Sequence, residues 1–157
     1  YEAGARSSNV VKGLNDYNDV DGRFSLKEGC HGSKVIDSSY NANPHSFIAS
    51  INSLVKLGNE PWLVMGEMGE LGKNSELYHK QVARHAYDMG VKKLFVISKH
   101  ARAILDEFGQ NSYAFDSVDA LIIFIKPQLN DNVNILVKAS RFMKFDIIVD
   151  ALLEGKY

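Results

Sequence analysis

Three short segments of this 157-residue chain concentrate side chains that can do chemistry. The first, Asp37-Ser38-Ser39-Tyr40-Asn41-Ala42-Asn43-Pro44, is crowded with hydrogen-bonding groups. A carboxylate at a strand end can accept two hydrogen bonds from a ribose diol. The free N–H groups of a following helix start attract anions. Asp, Ser and Asn are also ordinary turn and cap residues, so spacing alone leaves both readings open. The second, Gly66-Glu67-Met68-Gly69-Glu70-Leu71-Gly72-Lys73-Asn74, invites a phosphate-loop reading and fails it. Glu67 stands where the template needs glycine, Asn74 where it needs Ser or Thr. Met68 likewise occupies the second glycine position of a dinucleotide fingerprint. The segment reads instead as a loop turning Glu67, Glu70 and Lys73 to a cationic or zwitterionic substrate, or as a flexible surface turn. The third, Lys138-Ala139-Ser140-Arg141, places two cations and a hydroxyl just past an apolar run. Arg141 can grip a carboxylate or phosphate in bidentate fashion. Solvated charges ahead of a helix are the plainer account.

Other reactive residue types offer less. His79 and His85 are six apart and do not share a helix face. A lone helical histidine is more often a surface or packing residue than a ligand. Cys30 is the one cysteine, which rules out an intramolecular disulfide and fits a reducing compartment. It neighbours His31 without spaced partners, a weak zinc pattern, and no metal site is expected. No Ser-His-Asp or Cys-His arrangement stands out.

Strands alternating with helices must position these loops. Residues 1–22 are polar, with a short helix expected around Ser8 to Leu14 and a boundary near residue 20. Arg23 to Lys27 and Ser33 to Asp37 read as a hairpin or two edge strands. A helix is predicted from Pro44, capped by Asn43, with Phe47, Ile51, Leu54 and Val55 on one face and Gly58 at its end. Pro61 to Gly66, Leu94 to Ile97 and Val133 to Val137 are apolar enough for buried strands, and Tyr113 to Phe115 reads as a short strand. Ser75 is a candidate cap for a helix whose Tyr78, Val82, Ala86 and Met89 share a face. Further helices are predicted over Ala101 to Phe108, Val118 to Ile125 and Phe145 to Leu153, the last with Ile147, Ile148, Ala151 and Leu152 on one side. Continuous apolar strands alternating with amphipathic helices imply an α/β fold: a Rossmann-like, doubly wound, mostly parallel sheet with helices on both faces and an N-terminal edge hairpin. Ligands then gather at the carboxyl ends of the strands, where the three segments fall.

The bulk numbers set limits. A hydrophobic fraction of 45% and a charged fraction of 24% are those of a soluble globular domain. A net charge of -1 gives no bulk reason to bind nucleic acid or anionic membrane, while leaving room for a local anion site. No apolar stretch reaches the roughly 20 residues needed to span a bilayer, and the first residues lack a signal-peptide core. A cytoplasmic monomer is expected, and the abrupt start suggests a piece of something longer.

At the three loops the sequence resembles the C-terminal domain of the Mur ligases, and within them the members that join D-alanyl-D-alanine to a UDP-N-acetylmuramoyl-tripeptide. Residues 37–44 are similar to an Asp-Asp-Ser-Tyr-Asn-Ala-Asn-Pro signature. Residues 64–72, Val-Met-Gly-Glu-Met-Gly-Glu-Leu-Gly, are similar to Leu-Gly-Asp-Met-x-Glu-Leu-Gly. Val137-Lys138-Ala139-Ser140-Arg141 with Met143 and Lys144 resembles Val-Lys-Gly-Ser-Arg-x-Met-Lys. Gly22-Arg23 resembles the pair that opens the domain. Order and spacing agree over about residues 7–155. Ser38 stands where the family has a second Asp, Glu67 where it has Asp, and Ala139, which resists positive φ, where it has Gly. The resemblance implies a three-domain enzyme in which ATP phosphorylates the tripeptide carboxylate and the D-alanyl-D-alanine amine attacks the product. The P-loop and the residues that hold Mg2+ belong to the central domain. Residues 1–20 would be the tail of that domain and a hinge, and residues 21–157 the C-terminal domain. By the same resemblance Arg23, Asp37, Tyr40, Asn41 and Asn43 would meet ATP. Glu70, Lys73, Lys138, Ser140 and Arg141 would seat the dipeptide, with no catalytic residue in this chain. A sibling Mur or folylpolyglutamate-type amide ligase and a non-catalytic Rossmann-like binding module are the alternatives.

Overall fold

The computed structural model describes residues 22–153. The helix expected around Ser8 to Leu14 and the unit assigned to residues 1–20 lie outside them. Six strands form one sheet in the order β1-β2-β6-β3-β4-β5. They are β1 (Ser25–Glu28), β2 (Lys34–Ser38), β3 (Glu60–Met65), β4 (Lys93–Val96), β5 (Ser112–Ala114) and β6 (Val133–Lys138). All neighbours are parallel except β1 and β2, which form the antiparallel hairpin. Of these two strands only β1 lies at an edge of the sheet: β2 pairs with β6 on its other side and runs Val35 and Ile36 through the core. The two readings left open for this segment thus resolve to a hairpin with one edge strand.

The helices are α1 (Pro44–Lys56), α2 (Ser75–Met89), α3 (Ala101–Phe108), α4 (Val118–Ile125) and α5 (Asp146–Leu152). Helix α1 starts where its sequence demands. Pro44 fixes the first turn, Asn43 Oδ1 accepts from the Ser46 N–H at 2.8 Å, and Ser46 Oγ accepts from the Asn43 N–H at 3.0 Å. Phe47, Ile51 and Leu54 then fall on one buried stripe. Helix α2 begins differently from expectation. Ser75 lies inside the first turn, Asn74 precedes it without a side-chain cap bond, and the Ser75 hydroxyl meets His100 Nε2 at 3.1 Å. Its inner face is His79, Val82, Ala83 and Ala86, while Met89 is exposed. In α5 the buried side is Ile148, Val149 and Leu152, and Ile147 points to solvent.

Strand alternation sorts the core into two layers. Ile36, Leu63, Met65, Leu94, Val96 and Leu136 pack under α1, α2 and α3. Val35, Trp62, Val64, Phe95, Ile135 and Val137 pack under α4 and α5. Each fully buried large side chain contributes on the order of 1.5–3 kcal/mol, so the two layers together hold the sheet. The chain moves away from β2 through β3, β4 and β5, then returns to place β6 between β2 and β3. With crossovers of one hand, that reversal sends α4 and α5 to the opposite face. The connection leaving β6 therefore parts from those leaving β2 and β3. A crevice opens between them at the carboxyl ends.

Candidate functional site

The residues after β2, β3 and β6 converge on that crevice. Ser140 ties the three loops together. Its hydroxyl accepts from the Gly69 N–H at 2.8 Å and donates to the Ala42 carbonyl at 3.3 Å, while its N–H donates to the Glu67 carbonyl at 2.9 Å. The Gly66 N–H continues the ladder to the Lys138 carbonyl at 3.0 Å. A methyl on Gly66 would lie 2.6 Å from Ala139 Cβ and 2.7 Å from the Phe145 ring, so the two loops meet only because position 66 has no side chain. Ala139 is absent from the positive-φ residues, so its methyl fits without backbone strain.

Alternation sends Asp37 and Ser38 to opposite faces of the sheet. Asp37 turns to the α5 side and is buried, with both oxygens engaged. Oδ1 accepts from the Ser39 N–H at 3.1 Å and the Ser39 hydroxyl at 2.6 Å. Oδ2 accepts from the Gly22 N–H at 3.0 Å and Lys27 Nζ at 3.4 Å. The Gly22 carbonyl in turn accepts from the Tyr40 N–H at 2.8 Å. Gly22 has φ 81°, and a Cβ there would press on Tyr40 at 3.0 Å, which explains glycine at this contact. The carboxylate thereby fixes the Gly22–Arg23 turn against Tyr40. The Arg23 guanidinium lies 4.3 Å from the Tyr40 ring centroid and that of Arg141 lies 5.8 Å from it.

Ser38 turns to the α1 side, beside Lys138 in the β2–β6 register. Lys138 is buried, and its ammonium donates to Ser38 Oγ at 2.9 Å and to the Asn41 carbonyl at 3.0 Å, with the Phe47 ring 5.5 Å away. Burial lowers its pKa to about 8.

Three adjoining cavities follow. The first, about 370 Å3, is lined by Arg23, Ser38, Tyr40, Asn41, Asn43 and Lys138 among others, and by no carboxylate. The second, about 440 Å3, shares Asn41 and Asn43 with it and adds Glu70, Ser140, Arg141 and Phe142. The third, about 350 Å3, lies on the α5 side, where Asp37, Asp146 and Asp150 face Lys27 and Arg141. Nine of the ten residues that the resemblance assigns to ATP or the dipeptide line one of these cavities. Lys73 is the exception: it is exposed beyond Glu70 on the same loop. Lys138, expected among the dipeptide contacts, lines the first cavity with Arg23 and Tyr40 instead. The start of α1 offers anions little. Pro44 has no N–H, and those of Ser46 and Phe47 go to Asn43, which leaves that of His45.

Sequence reasoning missed the support beneath the second loop. His79 is fully buried, its Nδ1 2.7 Å from the Ser75 carbonyl and its Nε2 accepting from the Met68 N–H at 2.9 Å. These partners require a neutral ring with the proton on Nδ1. Burial above all lowers its pKa; His100 and Lys99 add to this, while the Ser75 bond and Glu67 oppose it. Glu67 Oε1 accepts from the Ser98 hydroxyl and the Lys99 N–H, each at 2.7 Å, so it braces the loop against β4 instead of facing a ligand. The i, i+4 spacing of Ser75 and His79 was the one available signal. Phe142, exposed and lining the second cavity, had none.

Among the described residues no three His, Cys, Asp or Glu side chains converge to hold a metal ion, so they supply no magnesium cage of their own. None of the described helices is long and apolar enough to cross a membrane.

A doubly wound sheet that gathers three polar cavities at its strand tips defines an α/β domain of the ligand-binding kind. The family model described as "Mur ligase, glutamate ligase domain" matches residues 22–141, and the chain belongs to that family. The UDP-N-acetylmuramoyl-tripeptide–D-alanyl-D-alanine ligase of Escherichia coli strain K12 is 32% identical over 154 residues, covering 97% of this chain and 34% of its own length. A MurF structure from Acinetobacter baumannii superposes with TM-score 0.74 at 26% identity, over 93% of this chain and 33% of that one. The MurF ligase from Thermotoga maritima in complex with ADP shares the fold, with TM-score 0.75 at 23% identity over 85% of this chain and 31% of that one. The chain thus spans about a third of the length of these relatives.

Proposed function

We propose that this chain is the C-terminal domain of an ATP-dependent ligase that adds D-alanyl-D-alanine to UDP-N-acetylmuramoyl-tripeptide in the cytoplasm, during synthesis of the peptidoglycan precursor. Residues 1–20 would link it to the central domain that carries the P-loop and Mg2+. One observation carries the reading: three loops joined by Ser140 enclose adjoining cavities of different charge. A dipeptide is a zwitterion and ATP is a polyanion. The second cavity presents Glu70 and Arg141, neither with an ion-pair partner among the described residues. Arg141 would hold the terminal carboxylate of D-alanyl-D-alanine in bidentate fashion, and Glu70 would draw the amino end. Ser140 holds both loops in register, and Lys73 adds a cation at the lip. The first cavity takes the nucleotide. Arg23, Tyr40 and Asn41 face it, while Asp37 holds Arg23 and Tyr40 in place from behind. ATP supplies the phosphoryl group that activates the acceptor carboxylate. Closing this domain on the central one would exclude water from that activated group. Relatives named for this reaction, matched over nearly the whole chain, support the substrate assignment.

The test is substrate choice. With the remaining domains joined to this chain, phosphate release should require D-alanyl-D-alanine and fail with D-glutamate or single L-amino acids. Turnover with a single amino acid alone would instead make the chain part of a sibling ligase.

A further inference from the structure

Lys138 is a buried cation without an anion. Its side chain is almost entirely enclosed, both its hydrogen-bond partners are neutral oxygens, and no carboxylate pairs with it among the described residues. Two of its three ammonium protons are accounted for, and the third has no acceptor there. Burying a charge in this way is costly unless something compensates it. The first cavity, which Lys138 lines, contains the Arg23 guanidinium and no acidic side chain. Asn41 adds an amide Nδ2 with no partner among the described residues, its Oδ1 being taken by the Ala42 N–H at 2.8 Å. The three donors Lys138, Arg23 and Asn41 thus border one space of about 370 Å3.

We propose that Lys138 is an anion-binding residue of this cavity that takes a phosphate group of the bound nucleotide, and that the neutral Ser38 beside it leaves its charge to the ligand. The assignment rests on the nucleotide reading of the cleft and moves Lys138 out of the dipeptide set. The β2–β6 register sets Ser38 and Lys138 side by side, so an acid at position 38 would form a buried ion pair with the ammonium and cancel it. A phosphate is preferred over a carboxylate because two cations face the space, whereas the zwitterionic pair Glu70 and Arg141 belongs to the neighbouring cavity. With a pKa near 8, Lys138 is still mostly protonated at neutral pH and available to an anion.

Inorganic pyrophosphate titrated into the chain at pH 7, followed by amide NMR shifts, tests this. Saturable shifts are expected at residues 22–24 and 38–41. Affinity should fall roughly tenfold or more in Lys138→Met, the loss of one charge-assisted hydrogen bond. It should fall further in Ser38→Asp than in Ser38→Asn, which separates charge from bulk. Lys56→Met, which removes an exposed cation at the end of α1, should change nothing. Saturating pyrophosphate should also raise the pH at which the Lys138 side chain titrates, a readout independent of any variant's stability. Absence of binding by the parent chain, or equal binding by the parent and Lys138→Met, overturns the proposal. So does a loss in Lys138→Met confined to D-alanyl-D-alanine. If ADP binds the parent chain and Lys138→Met alike, the nucleotide reading stands and this assignment falls. If Lys138→Met weakens pyrophosphate and ADP equally, with ADP no tighter than pyrophosphate, the anion site stands and the nucleotide reading falls.

Discussion

His79 shows what a residue's sequence neighbours leave out. The sequence separates it from His85 and reads it as a surface or packing residue; the fold buries it and adds two partners, the Ser75 carbonyl and the Met68 N–H. Both contacts require the uncharged ring. Its pKa is lowered in the fold, so the unfolded chain binds the proton more readily. The stability His79 contributes is therefore present above its ordinary value of 6.5 and lost as pH falls through the lower folded value. Protonation would also place an N–H where the Met68 N–H now donates, loosening the loop that carries Glu70. In urea denaturation at pH 7 and pH 5, the parent chain should lose more stability on acidification than His79→Gln, whose amide can donate and accept without titrating. Equal losses would show that His79 does not carry the acid sensitivity.

At the scale of elements, the helix and strand boundaries were largely written in local signals. Pro44, Gly90 and Gly109 punctuate helices whose apolar stripes repeat at helical spacing, and α3 and α4 run between the predicted residues. Ser75 failed as a cap because its hydroxyl is used by His100, 25 residues away, a contact no local pattern encodes. Asn43 illustrates the opposite case. Expected at the nucleotide, it does line the first cavity, but its Oδ1 is committed to the Ser46 N–H. Its first duty is thus to α1. Asn43→Ala should lower stability by about 1 kcal/mol, the usual cost of losing such a cap, and Asn43→Asp should restore most of it. Urea midpoints compare the three. A neutral effect of the alanine would mean that Pro44 alone starts the helix.

The whole molecule explains why the cleft was only half legible. The three loops could be found because each follows an apolar strand, yet which residues share a cavity depends on register and face. Asp37 and Ser38 are adjacent in sequence but separated by the sheet, whereas Ser38 and Lys138 touch across 100 positions. Topology makes that contact by inserting β6 between β2 and β3. The same arithmetic sets the role of Asp37. Among the described residues it accepts four hydrogen bonds, two of them from Gly22 and Lys27, so it joins the Gly22–Arg23 turn and β1 to β2. Arg23 sits one residue past that anchor and is held against Tyr40. Asp37→Ala should therefore act at a distance from the ligand. It removes the acceptor for Gly22, frees the Arg23–Tyr40 stack, and leaves Lys27 without that carboxylate. If this chain is part of the ligase proposed above, the expected result is weaker ATP use with the D-alanyl-D-alanine requirement unchanged, since the second cavity, which Glu70 and Arg141 line, does not include Asp37. In the chain alone, the amide signals of residues 22–24 and Tyr40 should shift without any nucleotide present. Unchanged ATP kinetics together with unshifted signals would show that the turn is held by other contacts, and the positioning role would be withdrawn.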